Sequence, residues 1–431
     1  MHATTPAAVP RDDRIFRTSD LLERFRATRT LTRTLAAPLS AEDAMVQSMD
    51  DASPAKWHLA HTTWFFERFI LGGDAQYRAF DPAWDYLFNS YYNSVGPMHA
   101  RARRGVLSRP TLAQVRAYRD HVEARLQERL EAHTLDAAAL DILQLGIQHE
   151  QQHQELLLTD IKHALWSSPL QPAYRDDLPV VHAGGAALRW ITRDEQVAEI
   201  GADPWPASST FAYDNESPRH RTLVSAHALA SRPVSNAEFQ AFIDDGGYRT
   251  PAHWLSDGWA TVQARGWARP LYWHQDGVRE YTLGGWRARD PDAPACGLSL
   301  FEADAFARWA GARLPTEAEW EVAAAGVAIE GNFAEDALLH PRSAQSSDTG
   351  FSQLFGDVWE WTGSAYLPYP GFAPWPGSLG EYNGKFMNAQ WVLRGGSCAT
   401  PRRHLRASYR NFFPSDARWQ FAGVRLAKDL T

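Results

Sequence analysis

The sequence predicts a bundle of about four up-and-down helices followed by a compact α+β domain with irregular loops. Three observations carry that expectation. At 431 residues the chain is too long for one ordinary core. From about Thr18 to Trp166 apolar residues recur at helical spacing; from about Phe211 they give way to short strand-like runs, Gly, Pro and Asn turns and clustered tryptophans. Between the two regimes, Pro169 to Pro204 carries Pro172, Pro179 and the Gly184-Gly185 pair and reads as a linker.

The helices follow in order. Leu21 to Leu35 is amphipathic, Glu42 to Met49 begins a second segment, and Trp57 to Leu71 follows the Ser53-Pro54 start signal. Val115 to Ala132 shows a clear polar face, and Ala137 to Leu165 comes next. In the second domain, Ser235 with Glu238 and Ser299 with Glu302 have capping-box spacing, so helices are expected over Ser235 to Asp244 and Leu300 to Ala310.

Composition narrows the function classes. A net charge of -8 without any basic block argues against nucleic acid as a partner. There is no apolar run of membrane-spanning length and no signal-peptide core in Met1 to Arg14, so the expected location is cytoplasmic, with no membrane partner. Only Cys296 and Cys398 are present, so a metal site must draw on histidine and carboxylate rather than thiolates.

The most informative stretch is Gly146-Ile147-Gln148-His149-Glu150-Gln151-Gln152-His153. Residues four apart on a helix lie one above the other, so both imidazoles reach one point beside the helix. Ile142, Leu145, Gly146, His149, Leu156 and Leu157 fall roughly on one side, which is then the inward one. The pair alone leaves two readings open: metal ligands, or buried histidines that bond to neighbours. His58 and His61 lie three apart in the preceding histidine-bearing helix. His61 sits amid Leu59, Trp64 and Phe65 and is the expected third ligand, with His58 as its outer partner or a surface residue. Three such histidines occupy one triangular face of an octahedral metal and leave other positions open. The long loop Leu87 to Gly105 holds paired tyrosines and several arginines, either packing and solvated residues or a phenolic acid and a carboxylate clamp.

Three further motifs allow a resemblance to be stated. Arg313-Leu314-Pro315-Thr316-Glu317-Ala318-Glu319-Trp320-Glu321, Gly356-Asp357-Val358-Trp359-Glu360-Trp361-Thr362 and Leu393-Arg394-Gly395-Gly396-Ser397 occur in the order of the formylglycine-generating-enzyme/sulfatase-modifying domain, a C-type-lectin-like fold. The helical region resembles a DinB-like four-helix bundle, a family that binds divalent metal through histidines placed like His61, His149 and His153. The implied organisation is a bundle over 15–170, a linker over 171–205 and the lectin-like domain over 206–431. Together with KWHLAHTTWFFE, NSYYNSVG, HEQQHQELL, LRGGSCATP and RNFFPSDARWQFAGVRLA, the chain resembles the ergothioneine-biosynthesis sulfoxide synthases (EgtB family), most closely the subgroup that uses free cysteine.

The resemblance implies a mononuclear non-haem Fe(II) enzyme that uses dioxygen to attach a thiol sulfur to C2 of the imidazole of hercynine (Nα-trimethylhistidine). It implies His61, His149 and His153 as iron ligands and Tyr91 or Tyr92 as proton or hydrogen-atom donor, with Tyr92 slightly preferred. Asn411, Phe412 and Phe413 match hercynine-binding positions; the stretch's aromatic rings, with polar acceptors such as Asp416, suit a trimethylammonium group. Gln152 matches a residue near the hercynine carboxylate, and Arg101 and Arg104 match arginines that hold the cysteine carboxylate. Glu150 is expected to orient or solvate rather than bind iron.

Two departures shape the alternatives. His404 to Arg410 reads HLRASYR, without the reactive cysteine of formylglycine-generating enzymes, so that activity is not expected and Cys398 reads as a packing residue. Met98-His99-Ala100-Arg101 stands where the cysteine-using subgroup has Arg-His-Pro-Arg, which opens a selenoneine-synthase reading with a selenosugar as donor. A zinc-dependent DinB-type thiol transferase and a lectin-like binding module are the rival classes.

Overall fold

The computed structural model describes residues 11–182, 184–344 and 350–430. It divides into two compact units, one running to Leu157 and one from Leu158 onward. Residues 1–10, most of the segment read for a targeting signal, lie outside the described residues. Among the described residues no helix is long and apolar enough to cross a membrane.

The first unit is built from α1 (Arg11–Ala36), α2 (Ala55–Phe69), the short α3 (Trp84–Phe88), α4 (Leu112–Glu131) and α5 (Ala137–Ser167), whose last turns belong to the second unit. Pro54 sets the start of α2, and every residue from Ala55 to Glu67 is buried, as expected of a helix enclosed on all sides. A full capping box starts α4: the Thr111 side chain accepts from the Gln114 N–H, and the Gln114 side chain accepts from the Thr111 N–H. Val115, Tyr118, Val122 and Leu126 then bury one face of α4, each aliphatic side chain stabilising by about 2 kcal/mol.

The segment expected to be helical over Glu42 to Met49 forms only a single 3-10 turn, Asp43–Met45. Local bonds favour the turn: the Ser40 N–H donates to Asp43 Oδ2 at 3.1 Å and the Asp43 N–H donates to Ser40 Oγ at 3.0 Å. The Gln47 amide then donates to the carbonyls of Ala52 and Arg101, pulling the chain away from a helical path.

The second unit holds β1 (Trp190–Arg193), β2 (Gln196–Ile200), β3 (His220–Val224), β4 (His227–Ala230), α6 (Asn236–Asp244), α7 (Ser256–Arg265), β5 (Arg279–Thr282), β6 (Gly285–Ala288), α8 (Leu300–Trp309), α9 (Glu317–Ala324), β7 (Trp359–Ala365), β8 (Trp391–Arg394), β9 (Asn411–Phe413), β10 (Ala422–Gly423) and β11 (Ala427–Asp429). One sheet has the order β1-β4-β11 and another β10-β7-β8-β9; β2-β3 and β5-β6 form two-stranded ladders. Ser235 and Ser299 make the capping boxes read from their spacing, and Thr316 with Glu319 makes a third.

β1 and β2 fall inside the stretch expected as linker. They carry little apolar alternation and take their order from partners far along the chain, β1 pairing with β4 and β2 with β3. The Trp-rich motif is core: Trp361 Nε1 donates to the Leu298 carbonyl, and buried Glu360 accepts from both Trp320 Nε1 and the Arg425 guanidinium. Gly395, at φ 95°, packs so tightly that a Cβ would meet the Leu354 carbonyl oxygen at 2.5 Å.

Candidate metal centre

Helices α2 and α5 touch at Gly146. A Cβ there would meet Phe66 Cε1 at 2.4 Å, so glycine permits the close approach that brings His61 and His149 together one turn later. His61 Nε2 and His149 Nε2 stand 3.2 Å apart. With His153 they form the only group of three or more potential metal-ligating side chains found among the described residues, with ligand atoms all within 4.8 Å of one another. Two nitrogens at about 2.1 Å from one metal, at right angles, lie about 3 Å apart, so the spacing fits a shared ion.

The protons on these rings follow from their neighbours. His61 Nδ1 lies 2.6 Å from the Phe88 carbonyl oxygen, which can only accept. The ring therefore carries its proton on Nδ1 and turns the Nε2 lone pair inward. His153 Nδ1 lies 2.8 Å from His58 Nδ1, while His153 Nε2 is buried without a hydrogen-bond partner. A buried, partnerless imidazole nitrogen beside two others is what a donor set looks like.

Burial keeps all three rings neutral. It pushes His149 down to about 3, against the pull of the Glu150 charge. Burial, followed by the neighbouring His149, likewise holds His61 and His153 well below the usual histidine range. Neutral imidazoles are ready ligands and cost no proton release on binding at neutral pH.

Glu150 turns away from this group. Its Oε1 accepts from Thr32 Oγ1 at 2.7 Å and Arg119 Nη2 at 2.9 Å, and its Oε2 accepts from Arg29 Nη1 at 2.9 Å. Burial alone would push this carboxyl up, but Arg29 and Arg119 hold it down at about 2. Arg29 also donates to Glu123 and Thr63, so α1, α2, α4 and α5 are tied through one buried polar knot.

Around the rings, Trp57 stacks on His61 at 4.4 Å between centroids and 14° between planes. The Arg104 guanidinium lies 3.3 Å from the Trp57 ring centroid and donates to Ser53 and Ser90. The Tyr91 ring stands perpendicular to that of His61 at 6.3 Å between centroids, whereas Tyr92 is buried against Trp64, Phe65 and Phe69. Arg101 is exposed at the head of the arginine turn, its carbonyl held by Gln47. Gln152 is half-buried beside His153.

In the second unit, Asn411, Phe412 and Phe413 are half-buried along β9. Phe412 stacks on Tyr366 at 4.1 Å and Phe413 meets Trp419 edge-on at 5.9 Å. Asp416, half-buried, accepts from Arg265 Nη2 at 2.7 Å. Cys398 is buried, as its packing reading expects.

Arg29 and Arg119 at the centre escaped the sequence reading, and His58 was expected beside His61 or at the surface. His58 is buried and braces His153 rather than His61. Arg29 and Arg119 were readable in principle: Leu21, Phe25 and Arg29 run at i, i+4 and i+8 along α1, and Arg119 follows Val115 on the apolar face of α4. A charge on an apolar stripe signals a buried partner.

Comparison with known proteins adds the following. A DinB superfamily model matches residues 24–157, and a model described as sulfatase-modifying factor enzyme 1-like domain matches residues 197–348 and 340–430. The chain is 35% identical over 410 residues to the hercynine oxygenase of Mycolicibacterium thermoresistibile, covering 88% of each chain. It is 34% identical over 402 residues to that of Mycobacterium tuberculosis, covering 88% of this chain and 91% of the relative. Ergothioneine biosynthesis protein 1 of Schizosaccharomyces pombe is 29% identical over 237 residues, 51% of this chain and 28% of that protein.

Proposed function

We propose, from the premise that this chain belongs to the hercynine oxygenase family, the sulfoxide synthases of ergothioneine biosynthesis, that it is an Fe(II)-dependent enzyme joining the sulfur of cysteine to C2 of the hercynine imidazole with dioxygen as oxidant. The observation that carries the iron assignment is the convergence of three buried, neutral imidazoles from two facing helices. Iron(II) held by such a triad supplies open coordination positions and the one-electron chemistry that dioxygen requires.

The chain's own groups do the rest. The Phe88 carbonyl keeps the His61 proton on Nδ1, and Trp57 lies against the His61 ring, so that ligand keeps one orientation. Tyr91 is the proton donor of this proposal, supported by its ring standing 6.3 Å from that of His61 and perpendicular to it; Tyr92 packs the wall behind it. Arg101 binds the cysteine carboxylate, supported by its exposure at the head of the turn, while Arg104 fixes Trp57 and the loop. Gln152 meets the hercynine carboxylate. Asn411, Phe412 and Phe413, with Asp416 as acceptor, receive the trimethylammonium group, supported by the aromatic character of β9 and its neighbours.

One observation favours a second donor: Met98 and Ala100 stand where a cysteine clamp would carry Arg and Pro, and a selenosugar needs no carboxylate clamp. A donor panel separates the two. Iron-loaded protein with hercynine and oxygen is offered cysteine, γ-glutamylcysteine or a selenosugar, and products are read by mass spectrometry. A sulfoxide formed from cysteine is the expected product; turnover with the selenosugar alone overturns the cysteine assignment.

A further inference from the structure

We infer that His58 is a positioning residue that accepts the Nδ1 hydrogen of His153 and thereby sets both the face that His153 offers to the metal and the strength with which it donates. The inference rests on the proposed metal role of the three histidines.

The two Nδ1 atoms lie 2.8 Å apart in a buried site, a distance that requires one hydrogen between them. His153 Nε2 is buried and has no hydrogen-bond partner, so it is the nitrogen left for the metal. A neutral His153 bound through Nε2 must carry its proton on Nδ1. His58 then receives that hydrogen on its own Nδ1 and keeps its proton on Nε2. His58 sits one turn before His61 on α2, so a single helix supplies one ligand and the brace of another.

The kind of acceptor matters. A carboxylate behind a metal-bound imidazole draws its N–H strongly and makes the ring a better donor, which favours the oxidised metal. A neutral imidazole draws it less, leaving the ring a moderate donor and favouring the +2 state. His58 thus holds His153 rigidly without making it strongly anionic. A histidine that merely fills space there would leave the metal's properties untouched.

The test uses the full chain and three variants: His58→Leu removes the acceptor, His58→Gln retains a neutral one and His58→Asp supplies a charged one. Iron and, separately, redox-silent zinc are titrated to obtain affinities, and the Fe(III)/Fe(II) potential is measured by spectroelectrochemistry. His58→Leu is expected to bind both metals about 10–100-fold more weakly and to show a raised potential. His58→Gln restores affinity, and His58→Asp lowers the potential below the parent's. Unchanged zinc affinity in a folded His58→Leu variant, or potentials that move the same way in the leucine and aspartate variants, overturns the inference. If the parent binds zinc in this order of affinities but supports no oxygen-dependent turnover with iron, the proposed function fails while the His58 contact stands.

Discussion

Gly146 of α5 faces Phe66 of α2 so closely that a Cβ on Gly146 would lie 2.4 Å from Phe66 Cε1. Phe66 is fully buried with its ring edge-on to Phe25 at 5.2 Å, so it has nowhere to retreat. Gly146→Ala must push α2 away from α5, and His61 rides on α2. Overpacking costs about 1–3 kcal/mol, and the gain of about 1 kcal/mol in helix propensity offsets part of it. The expected result is a small loss of stability with a disproportionate loss of metal affinity, about tenfold or more, measured by denaturation and metal titration on the same preparation. Unaltered affinity would mean that the helix spacing does not set the site.

Glu150 lies next to a proposed ligand in sequence yet serves the fold. Glu150→Gln leaves the buried guanidiniums of Arg29 and Arg119 without their shared counter-charge, which costs about 3 kcal/mol or more. The folded variant should still bind one metal per chain. Loss of metal from folded Glu150→Gln protein would place this carboxylate among the donors.

Acid should act in two overlapping windows, the higher of which begins with the histidines. His149 titrates near 3 in the folded state and near 6.5 when unfolded, so its contribution is fully present above about 6.5 and lost progressively as pH falls from there. The slope for that one ring is at most about 1.4 kcal/mol per pH unit, and His61 and His153 shift in the same direction. Glu150, held near 2, acts lower: its contribution is intact above about 4.5 and fades as pH falls toward 2. Denaturant midpoints of the metal-stripped protein at pH 7.5 and 5.5 test the first window, with a lower midpoint expected at 5.5. A midpoint independent of pH across that interval contradicts burial of three neutral rings.

The two loop tyrosines should separate in kinetics. Tyr91→Phe removes the hydroxyl proposed as proton donor and should lower kcat by about 100-fold with little change in metal content. Tyr92→Phe keeps the ring that packs on Trp64, Phe65 and Phe69 and should cost far less. Steady-state rates of sulfoxide formation decide; equal losses contradict the assignment to Tyr91.

These predictions draw unequally on what could be read from the chain. The main helices and the capping boxes at Ser235 and Ser299 were legible because they depend on residues three or four apart. So was the shared face of His149 and His153, and the inward position of His61 among aromatic residues. The turn at Asp43–Met45 escaped because Ser40 and Gln47 form bonds that compete with a helix, one of them to Arg101 far along the chain. β1 and β2 escaped because their order comes from partners up to 40 residues away in register, such as Trp190 with Ala230. At the site, spacing identified His58 as a face-mate of His61 but said nothing of which ring would stand opposite; only the packing of α2 on α5 made that ring His153. The Arg29 to Glu150 pair left a trace, a cation on an apolar stripe, without naming its partner.

The most direct test of the iron assignment is oxygen uptake by the metal-loaded chain, followed together with product mass and metal content. With iron, hercynine and cysteine, the protein should consume dioxygen in step with the formation of a C2-linked sulfoxide, and His149→Ala should lose both iron and uptake. Zinc-loaded protein that joins the thiol to its substrate with no oxygen consumed would contradict the account.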